Sequence, residues 1–372
     1  GGSLVHRTPS RNERSLAAAL SVIVPAAGPV VGEMYSWRHA ARLLVACFLT
    51  QALVAVGMYL PPAKYIIVSN ARNGTIGWAK ASSHGNFSSV RMLIDSGLGH
   101  PQGLAVDQKR GLLFIADSAL RKVISYGLSL DDVGNLVVDE QTPLADNVEA
   151  RWVTVDGPGN VYFSDELNNR VMRVSAQKVL EGDATSAEVV FPANLVGQSS
   201  VSAPGGVATD NFYVYWANKY SGGSVGTVVR GLDAGPNATT QDRAKMDVSI
   251  LASNLNKAYG VCLAIDNIFF TAPEKSVFGV KTSGGQVATI TDTLRNPRGC
   301  TWDGDSTVYV ADRSEHAVFA FPAPMVSLMQ TDVRKVIKFQ DAFGIAVFSS
   351  ARSRWPSFVV WALLALLAKA AT

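Results

Sequence analysis

One short pattern returns six times along the chain, and few folds can accommodate it. It is a run of alternating apolar and small residues: GLAVD at 103–107, WVTVD at 152–156, GVATD at 206–210, GVCLA at 260–264, GCTWD at 299–303 and GIAVF at 344–348. Such alternation marks a half-buried strand. After each of the first five comes a tight polar turn and a denser apolar run: LLFIAD, NVYFSD, YVYWAN, IFFTAP and TVYVAD. The closing residues Asp107, Asp156, Asp210, Ala264, Asp303 and Phe348 lie 39 to 54 residues apart. Strand-only repeats of that drifting period predict propeller blades, because helical solenoids of similar period would show a 3.6-residue rhythm.

The copy nearest the N-terminus is incomplete. KYIIVSN at 64–70 reads as a second strand and Thr75-Ile76-Gly77-Trp78 as a third, with no first strand ahead of them. Residues 341–348 are a first strand with no second strand behind it. Joined, the two ends complete one blade. The expected fold is therefore all-β: a six-bladed β-propeller of four-stranded antiparallel blades, its ring closed by the C-terminal strand. An open ring would leave two unpaired sheet edges.

The stretches 101–117 and 297–312 each place Pro-x-Gly before an alternating strand that ends in Asp, then a second strand that ends in Ala-Asp. They resemble the NHL-repeat family of six-bladed propellers. Val214-Tyr215-Trp216-Ala217-Asn218, with 224–231, is similar to the YWTD blades of lipoprotein-receptor ectodomains. The resemblance spans roughly 63–348 and implies the fold; enzymes, receptors and scaffolds all use this architecture.

The flanks read differently. Residues 1–42 carry Arg7, Arg11, Arg14, Arg38 and Arg42 and a stretch broken by Pro25 and Pro29, so they are expected to be poorly structured. No charge occurs over 43–63, giving a transmembrane or signal helix over 43–62 that Pro61-Pro62 stops. The arginines ahead of it place the propeller, 63–348, on the far side of a membrane. Cleaved signal and retained anchor are both open, since Ala55-Val56-Gly57 suits a signal peptidase. Sequons at Asn73, Asn86 and Asn237 fit export and glycosylation. Over 349–372, small residues, a short polar spacer and the apolar run from Phe358 to Ala368 read as a lipid-anchor signal or a short membrane helix. The expected location is the secretory pathway, at the cell surface or the lumenal side of a membrane.

Three cysteines are present. Cys47 lies in the apolar run. Cys262 aligns with Ala105 and Cys300 with Leu104, which puts them on opposite strand faces and argues against a disulfide, although an oxidising compartment would allow one, so their pairing stays open.

In propellers the loops entering first strands and leaving second strands share the top rim. The residue before each strand glycine then faces the channel mouth: Gln102, Arg151, Gly205, Tyr259, Arg298 and Phe343. A second tier holds His100, Glu149, Ala203, Lys257, Asn296 and Asp341. Relatives of the gluconolactonase and paraoxonase type hold a divalent cation in the channel, which needs several converging oxygens. This mouth offers Glu149 and Asp341, with Arg151 beside them. An amidating lyase built on NHL blades would imply zinc histidines, but only His84, His100 and His316 fall in the propeller. No metal or cofactor is expected, and no catalytic residue is assigned. Asp117, Asp165 and Asp312, with Asn70 and Asn218, are expected to cap turn amides. Phe114, Tyr162, Tyr215, Phe269 and Tyr309 are expected to pack between blades.

The top rim also carries Arg121, Arg170 and Arg313. A net charge of +3, with 17% charged residues, gives no nucleic-acid footprint. The sequence thus reads as a membrane-tethered, monomeric, non-enzymatic binding module for a protein or acidic glycan, with Gln102, Arg151, Tyr259, Arg298, Phe343, Arg121, Arg170 and Arg313 as candidate contacts. The alternative is a channel-calcium hydrolase or lactonase.

Overall fold

The computed structural model describes residues 62–81, 87, 89–193, 201–219, 226–233, 235, 247–273, 275–323 and 326–350. Their strands form six antiparallel sheets, one per blade. Blade 1 contains β1 (Lys64–Asn70), β2 (Thr75–Lys80) and β3 (Arg91–Ile94). Blade 2 contains β4 (Pro101–Asp107), β5 (Leu112–Asp117), the long β6 (Lys122–Leu130), and two outer partners, β7 (Leu136–Val138) and β8 (Thr142–Asp146). Blade 3 runs through β9 (Ala150–Val155), β10 (Val161–Asp165), β11 (Arg170–Val174) and β12 (Glu188–Phe191), with the helix α1 (Ala176–Glu181) before its last strand. Blade 4 is β13 (Pro204–Thr209), β14 (Tyr213–Asn218), β15 (Gly226–Leu232) and β16 (Val248–Leu255). Blade 5 is β17 (Val261–Ala264), β18 (Asn267–Thr271), β19 (Val277–Lys281) and β20 (Ala288–Thr291). Blade 6 is β21 (Pro297–Trp302), β22 (Thr307–Asp312), β23 (Ala317–Pro322) and β24 (Arg334–Lys338).

The last strand, β25 (Ala342–Ser349), returns to blade 1 and pairs with β1 from Lys64↔Ser349 to Asn70↔Ala342. Ring closure by the C-terminal strand is therefore as the repeat arithmetic requires. Gln108, from the bottom turn of blade 2, holds the free side of β25: its amide donates to the Val347 carbonyl and accepts from the Ser349 N–H. Ala63 and Ser350 are hydrogen-bonded to each other, so both ends of the described chain leave side by side at the bottom rim.

Turn chemistry repeats as the sequence implies. Asp117 accepts from the amides of Gly99, His100, Ala119 and Leu120, tying its own turn to the loop that enters β4. Asp312 does the same for Arg295, Asn296, Ser314 and Glu315. A short buried acceptor satisfies several amides at once, and that explains these carboxylates.

Blades pack face to face through six buried apolar clusters, one per interface. Phe114, Tyr162, Tyr215, Phe269 and Tyr309 are all buried within them. This stacking overturns the cysteine expectation: Cys262 and Cys300 are joined in a disulfide, with Cα atoms 5.6 Å apart. The register is as aligned, for Cys262 pairs with Phe269 and Cys300 with Val310 on opposite faces of their own sheets. In a ring, however, the leading face of one blade meets the trailing face of the next. Opposite faces on consecutive blades are thus the faces that touch, and both cysteines lie in the blade 5–blade 6 cluster.

Most of the helix expected over 43–62 and the tail beyond Ser350 lie outside the described residues, as do Asn86 and Asn237. Asn73 is exposed in the turn between β1 and β2. Among the described residues no helix is long and apolar enough to cross a membrane.

Candidate functional site: a cup at the channel mouth

The glycine of each inner strand sets the geometry of the mouth. A Cβ on Gly344 would lie 1.8 Å from the Gln102 carbonyl oxygen, and one on Gly260 would lie 2.2 Å from that of Arg298. Neighbouring inner strands touch backbone to backbone there, which forces the preceding residue toward the axis. Hydroxyls on second strands fix two of these contacts. Ser69 Oγ donates to the Gln102 carbonyl at 2.8 Å, and Thr271 Oγ1 donates to the Arg298 carbonyl at 2.6 Å.

All six residues expected at the mouth line one cavity of about 210 Å³: Gln102, Arg151, Gly205, Tyr259, Arg298 and Phe343. His100, Trp152, Lys219 and Arg313 complete its wall. Trp152 is the residue that sequence reasoning missed, and its signal was visible: WVTVD carries an indole where the other five copies carry glycine. That indole lies 5.9 Å from the Phe343 ring, centroid to centroid, and both side chains are buried. Both rings line the cavity and give it an aromatic floor.

The charges around the cup are mostly spent on one another. Arg151 pairs with both Glu149 and Glu166. Lys219 Nζ sits 2.7 Å from Glu166 Oε1, and Arg313 Nε sits 2.7 Å from Asp341 Oδ1. Burial holds the Lys219 ammonium below the ordinary lysine pKa, against the pull of Glu166. His100 is also held below the usual histidine value, first by burial and then by Arg151 and Arg313, while Asp117 and Asp341 oppose the shift. It is therefore a neutral ring at pH 7, with Nδ1 3.3 Å from Ser118 Oγ.

Arg298 is the exception. Its guanidinium carbon lies 4.1 Å from the Tyr259 ring centroid and 5.7 Å from that of Phe343. Its Nε is buried without a hydrogen-bond partner, and among the described residues no carboxylate pairs with it. The expected convergence of Arg151 and Arg298 is thus real in position but unequal in charge, because two glutamates neutralise Arg151. Two other candidates stand apart from the cup. Arg121 is exposed on a top turn at φ +57°, and Arg170 Nε is held 2.8 Å from Asp165 Oδ2. Among the described residues no group of three or more His, Cys, Asp or Glu is placed to hold a metal.

No family profile matches the chain, and no curated protein matches it in sequence. Solved structures do match in shape. A chain from a crystal structure of a nidogen/laminin complex is 14% identical with a TM-score of 0.57, over 76% of this chain and 98% of that one. Virginiamycin B lyase from Staphylococcus aureus is 14% identical with a TM-score of 0.42, over 64% of this chain and 69% of that one. A luciferin-regenerating enzyme is 13% identical with a TM-score of 0.44, over 66% and 78%. At such identities the likeness to the nidogen/laminin chain shows the six-bladed fold alone.

Proposed function

We propose that this chain is an exported, membrane-tethered propeller of the NHL or YWTD kind that binds a protein or acidic glycan through its top face, without catalysis. The observation that carries the reading is Arg298: a guanidinium lining the cup, stacked on aromatic rings, with no carboxylate partner among the described residues. The residue is half-buried, but a buried donor such as its Nε left unpaired is costly unless an incoming acceptor completes it. Among the described residues Glu149, Glu166 and Asp341 each face a guanidinium or ammonium at this mouth. A channel-calcium hydrolase would need them turned toward the axis instead.

Export is supported by the Cys262–Cys300 disulfide, which suits an oxidising compartment, and by the sequons at Asn73, Asn86 and Asn237. Tethering through 43–62 or the tail agrees with both ends of the described chain leaving at the bottom rim, opposite the cup. Two measurements test the proposal. Full-length protein from a secretory host is expected to shift in gel mobility on glycosidase treatment, and cytosolic fractionation without a shift would overturn export. On a panel of acidic and neutral peptides and glycans, binding is expected to favour acidic members. Arg298→Glu should abolish that preference, and an unchanged profile would remove the top-face reading.

A further inference from the structure

We propose that the cup seats an acidic sugar residue, with its ring on the Trp152–Phe343 floor and its carboxylate on Arg298; this rests on the reading of the mouth as an anion site. The volume is the first reason. A cavity of about 210 Å³ has room for roughly seven waters at about 30 Å³ each. A single side-chain carboxylate displaces only a few of them, whereas a pyranose ring with its substituents fills the space.

The lining is the second reason. The floor is apolar and aromatic, formed by Trp152 and Phe343 5.9 Å apart, and it suits the C–H face of a sugar ring. Around that floor the groups differ in availability. Arg151, Lys219 and Arg313 are already paired with carboxylates. Gln102 carries both a donor and an acceptor, and the neutral His100 ring, its Nδ1 against Ser118 Oγ, leaves Nε2 for a sugar hydroxyl. A carboxylate attached directly to the ring would reach Arg298 while the ring rests on the floor. The guanidinium is a planar fork held by Tyr259 and Phe343, so a two-point contact forms without ordering a floppy chain.

The test uses the full chain and four small probes in calorimetry or saturation-transfer NMR: methyl glucuronide, the methyl glycoside of N-acetylneuraminic acid, methyl glucoside, and N-acetylglutamate methylamide. At least one acidic sugar is expected to bind ten-fold or more tightly than both methyl glucoside and the glutamate probe. Arg298→Met should remove that margin with an unchanged melting temperature, because the Thr271 bond is to the Arg298 backbone. If the glutamate probe binds as tightly as the sugars, with the same loss in Arg298→Met, the sugar assignment is overturned and the anion site stands. If methyl glucoside binds as tightly as both acidic sugars, or Arg298→Met changes nothing, the anion site falls as well.

Discussion

Replacing Cys262 and Cys300 together by alanine tests the blade-stacking logic most directly. The two residues are 38 apart in sequence, and the bond closes that loop across the blade 5–blade 6 interface. Chain-entropy arithmetic for a loop of this length gives about 4 kcal/mol at 25 °C, taken from the unfolded state. Both side chains are buried beside Phe269 and Val310, so losing two sulfur atoms adds a smaller packing loss of about 1 kcal/mol. For a unit of roughly 290 residues the unfolding entropy is about 0.6 kcal/mol/K, so the chain-entropy loss alone lowers the melting temperature by about 5–7 °C. A thermal melt with and without reductant is the assay, backed by peptide mass mapping under non-reducing conditions. Reductant should lower the parent's melting point by a similar amount and leave the double variant unmoved. Free thiols at both Cys262 and Cys300 in the parent, or a double variant that melts with it, would show that these faces are not joined.

Other perturbations follow from the same geometry. Arg173 is fully buried and bonds Asp233 and Glu188, while the Tyr162 hydroxyl also donates to Asp233. Arg173→Met should cost about 3–5 kcal/mol in urea unfolding, and Asp233→Asn in the same chain should recover part of it by neutralising the stranded charge. If the double variant is less stable than the single, this pairing is wrong. Gly344→Ala drives a methyl toward the Gln102 carbonyl 1.8 Å away and should destabilise by about 1–3 kcal/mol; a parent-like melt would argue against the closing strand lying where it does. His100 is held below its ordinary pKa, so the folded state binds fewer protons than the unfolded one. Its penalty is absent above the unfolded value of about 6.5, grows as pH falls through it, and is complete below the folded value. Between pH 7.5 and 5, His100→Gln should therefore lose less stability than the parent, and equal losses would remove His100 as a cause.

Strand-level features were legible because they are local. Alternation, turn residues and the glycine of each inner strand sit within a few residues of one another, so six blades, their closure and the ring of mouth residues could be counted from the chain. Asp117 and Asp312 were readable as caps because the turn amides two and three residues on recur at the same offsets. Trp152 was legible in principle, as the one copy lacking the strand glycine. What only the tertiary structure decided involves side chains from different blades. Cys262 and Cys300 pair because a ring sets unlike faces against each other, which reasoning within one sheet gets backwards. Arg151 and Arg298 hold equivalent sequence positions, yet Glu149 and Glu166 neutralise one, while Tyr259 and Phe343 from the two flanking blades cradle the other. Charge and burial at the cup depend on which side chains converge across the channel, and sequence spacing carries no record of that convergence.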